Sequence, residues 1–271
     1  MKKDKKCFCG NSKCTEQLHK DIKSNSKYSK TFKLYKQIDK IIEESASNLN
    51  LNIQCKKGCS ECCHQVFSIS EVEFCIIADY LLEHLRPKIN DIFEKSNDIY
   101  NYIKDNDPLF FNKLSNNING NNPILNNFSD LYNFLLPTHT SLIPHGCIFL
   151  NNNNECSIYK VRPVICRTHG VSYCSKGYTN ILCSKLEISD KNRGEFVDLT
   201  SYENEVYNLF SFKQNIKLII RAPFPMFHWF CFLKENHLNL YDFRKTLFYS
   251  RYTRMSESEM IDDLVSSINS F

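Results

Sequence analysis

Glycine is scarce in this chain, with seven in 271 residues. None of Gly10, Gly58, Gly120, Gly146, Gly170, Gly177 and Gly194 falls into GxGxxG or GxxxxGK[ST]. The glycine-rich cradles that hold dinucleotides and nucleoside triphosphates are therefore absent. A continuous apolar span is missing as well. The most apolar stretch, Ile216 to Leu233, is interrupted by Lys217, Arg221, Pro223, Pro225 and His228. A membrane-crossing helix needs about 20 apolar residues with few charges, so this stretch reads as a buried helix pair around a proline turn, and no membrane partner is expected. The lysine-rich start, residues 1–6, has no apolar segment behind it; no secretory signal is read there, and a cytoplasmic location is expected. A net charge of +4 is small for this length. With no long basic helix to follow the N-terminal lysines, no nucleic-acid partner is expected either. The eight histidines are scattered and form no HExxH pair.

Cysteine is abundant: there are fourteen. In a reducing compartment clustered thiols point to metal or redox chemistry rather than to a disulfide framework. The apolar share of 42% is ordinary for a globular chain, so a metal need not hold up the whole fold.

Periodicity indicates a mainly α fold in which helices are joined by irregular, cysteine-rich metal-binding loops. Phe32, Tyr35, Ile38, Ile42 and Leu49 recur at helical spacing between Tyr28 and Leu49. Ser70 and Glu73 form a capping-box pattern that opens a helix over Val72, Ile76, Ile77, Tyr80 and Leu81, ended or bent by Pro87. A further helix covers Ile89 to Ile103. Ser115 to Asn127, with Gly120 and Pro123, reads as a loop or insertion, and a short helix around Leu131 to Leu136 stops at Pro137. His145 to Cys183 has no long period and reads as a loop wrapped around metal. The asparagine run Asn151 to Asn154 marks a loop. Beyond Tyr202 the chain is expected to be mostly helical, with Phe224 to Phe232 an aromatic core segment. Two parts follow: residues 1–20 as a small zinc knuckle or tail, and residues 28–271 as a cysteine-cluster metal-binding domain with a helical C-terminal part.

The densest signal is Cys55-Lys-Lys-Gly-Cys59-Ser-Glu-Cys62-Cys63-His64. Four thiols within nine residues can converge if the backbone turns tightly, and Gly58 permits that. Thiolates are soft ligands suited to zinc and to iron–sulfur clusters. Adjacent side chains generally diverge, so either one of Cys62 and Cys63 is structural, or two metals or a polynuclear cluster are involved. The second segment carries Cys147, Cys156 and Cys166, separated by eight and nine residues. That is too wide for one knuckle, so they complete a site begun elsewhere or form a second one. Arg162 and Arg167 flank Cys166. Four thiolates around divalent zinc leave a charge of about −2, which guanidinium groups nearby would offset. Cys174 and Cys183 follow at gaps where further ligands are plausible, and His64 and His169 lie beside the expected ligands. Cys75, inside a helix, and Cys231, in an aromatic run, read as core residues.

Cys55-x3-Cys59-x2-Cys62-Cys63, together with Cys147-Ile-Phe-Leu, Cys156-Ser-Ile-Tyr and Arg162-Pro-x-x-Cys166-Arg167, resembles the YkgJ-type CxxCxxCC cysteine-cluster family, described as zinc- or iron-chelating proteins. The two segments, 55–85 and 145–183, cover about a quarter of the chain. The resemblance implies bound zinc or an iron–sulfur cluster held by Cys55, Cys59, Cys62, Cys63, Cys147, Cys156 and Cys166. Because the family includes flagellin lysine methylases with an iron–sulfur cluster, it also offers an enzymatic alternative: a protein-modifying enzyme using S-adenosylmethionine on a protein substrate. A redox sensor is a third reading. Separately, Cys7-Phe-Cys9-Gly10, with Cys14 and His19 beyond it, resembles a degraded SEC-C-type zinc motif; Cys14 does not stand where that motif has its third ligand.

Overall fold

The computed structural model describes residues 26–48, 53, 55, 58–118, 146–171, 173–175, 178–180, 183, 197–202, 205, 224–235, 239 and 240. The cysteines at 7, 9 and 14, His19, the helix expected around Leu131 to Leu136 and most of the C-terminal part lie outside the described residues.

The described part is mostly helical. Helix α1, Ser26–Asn48, buries Tyr28, Thr31, Leu34, Tyr35 and Ile38 at the 3.6-residue period, with Phe32 and Ile42 at the edge of that face. Strand β1, Ser68–Ile69, leads into α2, Glu71–His84. Its start is the capping box expected from sequence: the Ser70 hydroxyl accepts from the Glu73 N–H, and the Glu73 carboxylate takes the Ser70 N–H. Residues Val72 to Ala78, Leu81 and Leu82 are all buried, so α2 is enclosed on nearly every side. It ends at Leu85, before Pro87 enters a short 3-10 turn, Arg86–Lys88.

Helix α3, Ile89–Asn106, is followed at once by α4, Pro108–Ile118. Asp107 caps α4 by accepting the Phe110 N–H at 3.1 Å, and Pro108, which has no N–H to satisfy, takes the first turn. Ser115 to Ile118, read from sequence as part of a loop, therefore continues a helix. The Asp-Pro start outweighs the turn residues further on.

The remaining elements are short: α5, Val164–Thr168; β2, Tyr173–Ser175; β3, Tyr178–Asn180; β4, Val197–Asp198; β5, Phe224–Pro225; and α6, Met226–Glu235. Strands β3-β2-β4 form one small sheet, with β2 antiparallel to β3 and parallel to β4. Strand β1 pairs with β5, Ser68 facing Pro225 and Ile69 facing Phe224. That pairing delivers α6 to the core, where the Trp229 indole N–H donates to the Ile69 carbonyl at 3.2 Å. Trp229 also stacks on Phe74 at 5.1 Å. Phe224 to Phe232 thus forms an aromatic core segment, built as a strand and one helix. α3 packs against α6 and α4, while α1 packs against α2 and α5. Among the described residues no helix is long and apolar enough to cross a membrane.

Candidate functional site

The segment from Gly58 to His64 turns back on itself because Gly58 adopts φ +92°, a conformation that L side chains rarely take. A 3-10 turn, Glu61–His64, follows, closed by Cys63 N–H to Ser60 O at 2.9 Å and Gln65 N–H to Cys62 O at 3.1 Å. Cys62 and Cys63 do not diverge here, because this tight turn keeps both at the same cavity wall. Side by side on that wall, the two thiols shift one another's acidity.

The second segment is folded by its asparagines. The Asn151 side chain accepts the N–H groups of Asn153 and Glu155, both at 2.9 Å, and Asn154 takes the left-handed conformation, φ +58°. This is turn chemistry that asparagine tolerates better than most residues. The chain reverses, Leu150 bridges Cys156, and the Ser157 N–H reaches the Phe149 carbonyl at 2.9 Å. Cys147 and Cys156 are brought together by that reversal. Cys166 follows on α5, whose first turn begins after Pro163.

All seven cysteines, Cys55, Cys59, Cys62, Cys63, Cys147, Cys156 and Cys166, line one partly open cavity of about 60 Å³. Phe67, Phe149, Ile158 and Met226 supply apolar wall, and Tyr159 and Arg162 complete it. Met226 is held there by its N–H, which donates to the Phe67 carbonyl at 3.1 Å across the β1–β5 pair. Gly170 packs directly on Cys55. Among the described residues no three His, Cys, Asp or Glu side chains are gathered closely enough to hold a single ion; the thiols ring a space instead of meeting at a point.

Electrostatics differ from thiol to thiol. The neighbouring Cys63 thiol pulls the Cys62 thiol down to about 7, against the opposing effect of burial. The same pairing, together with burial, pushes Cys63 far up. Burial raises Cys147 to about 12 and lifts Cys55, Cys156 and Cys166 above the ordinary thiol range. The positive charge of Arg162 acts in the opposite sense on Cys55, Cys62 and Cys156.

The two arginines, equivalent by sequence, are used differently. Arg167 is buried and is not among the residues that line the cavity. It donates to the Arg162 carbonyl through Nε at 2.8 Å, to the Lys160 carbonyl through Nη2 at 3.0 Å, and to Asp39 of α1 through Nη1. Its guanidinium also lies over the Tyr35 ring, 4.4 Å from the centroid. Arg162 faces the cavity. Its Nη2 stands 3.6 Å from Asp39 Oδ1, an ion pair too long for a hydrogen bond, and its guanidinium lies 4.0 Å from the Tyr159 ring centroid. Its Nε and Nη1 are buried without a hydrogen-bond partner.

Of the other candidates, Cys183, His64 and His169 are not among the residues that line the cavity. Cys183 is half-buried, and its proximity adds slightly to the rise at Cys55. Cys174 sits on β2, its backbone opposite Thr179 and Asp198; the position of its side chain lies outside what the structure describes. His64 packs on Gly146. His169 is buried against Phe67 at 5.0 Å, and its Nδ1 has no partner. Cys75 and Cys231 are core residues, the latter with its thiol 3.6 Å from the Ser96 carbonyl. Asp39, Tyr35 and Glu73 hold the second segment in place, a role the sequence does not assign them: Tyr35 stands there only in a helical period, Glu73 only in a capping box, and Asp39 is not singled out.

No protein-family model matches this chain, and no curated protein or solved structure matches it either.

Proposed function

We propose that this chain is a metal-binding protein that holds an iron–sulfur cluster or zinc through thiolates of Cys55, Cys59, Cys62, Cys63, Cys147, Cys156 and Cys166. The observation that carries the reading is the convergence of seven thiols on one cavity, from two segments whose nearest members, Cys63 and Cys147, are 84 positions apart. Core packing alone gives no reason for seven free cysteines to share one wall when Cys75 and Cys231 are dispersed elsewhere.

The donor set fits such a group. Thiolates suit zinc and iron–sulfur centres, and a tetrahedral zinc ion uses four ligands, whereas seven thiols surround this space. That surplus favours a polynuclear centre over one ion. Arg162 brings two buried N–H groups that need an acceptor, which a metal–thiolate anion would provide. Crowded, buried thiols such as Cys147 and Cys166 hold their protons; a bound cation would displace them, so uptake is expected to release protons and weaken in acid. Among the described residues the cavity wall offers no carboxylate or imidazole for acid–base work, so binding, rather than the methylase alternative, is the reading adopted. The loops from Gly58 to His64 and from Gly146 to Cys166 would be the metal-binding loops between the helices.

Anaerobic purification followed by iron, zinc and sulfide analysis tests the proposal, with an absorption spectrum taken before and after dithionite. Iron with sulfide, and bleaching of broad absorbance near 400 nm (on the order of the usual iron–sulfur range), would identify a cluster. Colourless protein with zinc would identify zinc. Less than one metal or cluster per chain would refute the reading.

A further inference from the structure

Thiols aside, Arg162 is the only charged side chain among the described residues that line the cysteine cavity. Its surroundings meet its charge only in part. Asp39 is shared between two guanidinium groups, Arg167 holding it by a direct hydrogen bond and Arg162 standing at 3.6 Å. One carboxylate against two permanent cations leaves one positive charge in excess, and it stands on the cavity side. The Nε and Nη1 of Arg162 are buried and have no hydrogen-bond partner. A buried guanidinium with unsatisfied donors is costly. Contact with the Tyr159 ring at 4.0 Å stabilises the cation and fixes the plane of the fork, but a ring face accepts neither N–H in the manner of a lone pair.

Resting on the metal-binding reading above, we propose that Arg162 donates its Nε–H and Nη1–H to sulfur of the bound metal–thiolate group, and so acts as the positioning residue that governs how firmly the cavity retains its metal. Two features suit it to sulfur. A guanidinium presents parallel donors in a rigid fork and keeps its charge at every accessible pH. A metal–thiolate centre is an anion whose sulfur atoms retain lone pairs after ligation, and hydrogen bonds to those sulfurs, with the net charge around them, set the stability and the reduction potential of such centres. Arg167, the other arginine of the motif, has its Nε, Nη1 and Nη2 committed, so the division of labour is read from the partners each one has.

The test compares wild type with Arg162→Met and Arg162→Lys, each prepared with and without metal. Resistance of the bound metal to a competing chelator is the first readout. Arg162→Met should lose about 10–100-fold in apparent affinity, the usual effect of removing a hydrogen bond to a ligand. Arg162→Lys, which restores the charge without the fork, should fall between the two. Thermal melting is the second readout. Without metal, Arg162→Met should melt close to wild type, because loss of the Asp39 and Tyr159 contacts is offset by removal of two buried, unpartnered donors; with metal it should be less stable than wild type. A purely structural arginine would lower the melting temperature equally in both forms. That result, or chelator resistance equal to wild type in the Met variant, overturns the proposal. If wild type takes up no metal at all, the metal-binding reading fails first and this inference with it, whereas uptake by wild type with identical variants removes the inference alone.

Discussion

Glu73 Oε1 accepts the backbone N–H of Val164 at 2.9 Å, joining residues 91 positions apart. The same carboxylate takes the Ser70 N–H at 3.0 Å and the Ser70 hydroxyl at 2.9 Å through Oε2, and the Tyr35 hydroxyl reaches Oε1 at 3.4 Å. One buried side chain therefore caps α2 and fixes the start of α5, which carries Cys166. Burial pushes the Glu73 carboxyl up, and these donors oppose it.

Glu73→Ala should lose about 3–5 kcal/mol in urea unfolding, since buried N–H groups at Ser70 and Val164 are left without an acceptor. Glu73→Gln, which keeps the shape and one acceptor, should lose less. Equal stability of the Ala variant and wild type would contradict the bracing role.

Arg167→Met should cost about 3–5 kcal/mol by the same measurement, because it breaks a buried ion pair from one side and leaves the Arg162 and Lys160 carbonyls without their donor. Arg162→Met, which loses only the longer Asp39 ion pair and the Tyr159 contact and removes two unpartnered donors, should leave metal-free stability close to wild type. Similar losses for the two variants would mean that the arginines are not divided as described.

Much of the helical frame could be read in advance. α1, α2 and α3 carry sustained apolar periods, and Ser70 with Glu73 announces its helix by a local mechanism. α4 was equally announced, by Asp107-Pro108, but the turn residues after Ser115 drew the reading toward a loop. Strands of two or three residues have no period to detect, so both small sheets went unseen. The seven cysteines were legible as a group because thiols cluster for few reasons. The roles of Arg162 and Arg167 were not: the difference depends on Asp39, which lies 128 positions from Arg167 and reaches it only through the packing of α1 on α5. The asparagine run is legible as a loop, but that Asn151 and Asn154 close the turn between Cys147 and Cys156 depends on side-chain bonds and a backbone conformation that the sequence does not display.

Gly170→Ala should disturb one ligand position selectively. A Cβ there would overlap the Cβ and Sγ of Cys55, and overpacking of this kind costs about 1–3 kcal/mol. Cys55 should be displaced from the cavity wall, so that it reacts faster with iodoacetamide in metal-free protein while Cys147 does not. Mass spectrometry of the labelled peptides reads both; an unchanged Cys55 rate would contradict the contact.

Acid should destabilise the protein partly through His228. Its ring is fully buried between aromatic neighbours including Phe224 at 4.8 Å, and neither nitrogen has a hydrogen-bond partner of good geometry. Burial pulls the imidazole from 6.5 down to about 3, weakly opposed by the Leu114 backbone. Between these values the unfolded chain takes up a proton that the folded chain refuses. The stability this group contributes is present above 6.5 and is lost as pH falls toward 3, at up to roughly 1.4 kcal/mol per pH unit. His228→Leu should flatten the stability profile from pH 6.5 to 4. A slope equal to that of wild type would count against it.

The most direct measurement is metal and sulfide per chain in anaerobically purified wild type, the double variant Cys62→Ser/Cys166→Ser, and Cys231→Ser as the core control. The account predicts at least one metal or cluster per chain in wild type and in Cys231→Ser, and less than half of that in the double variant. Equal metal in all three proteins, or none in wild type, would contradict it.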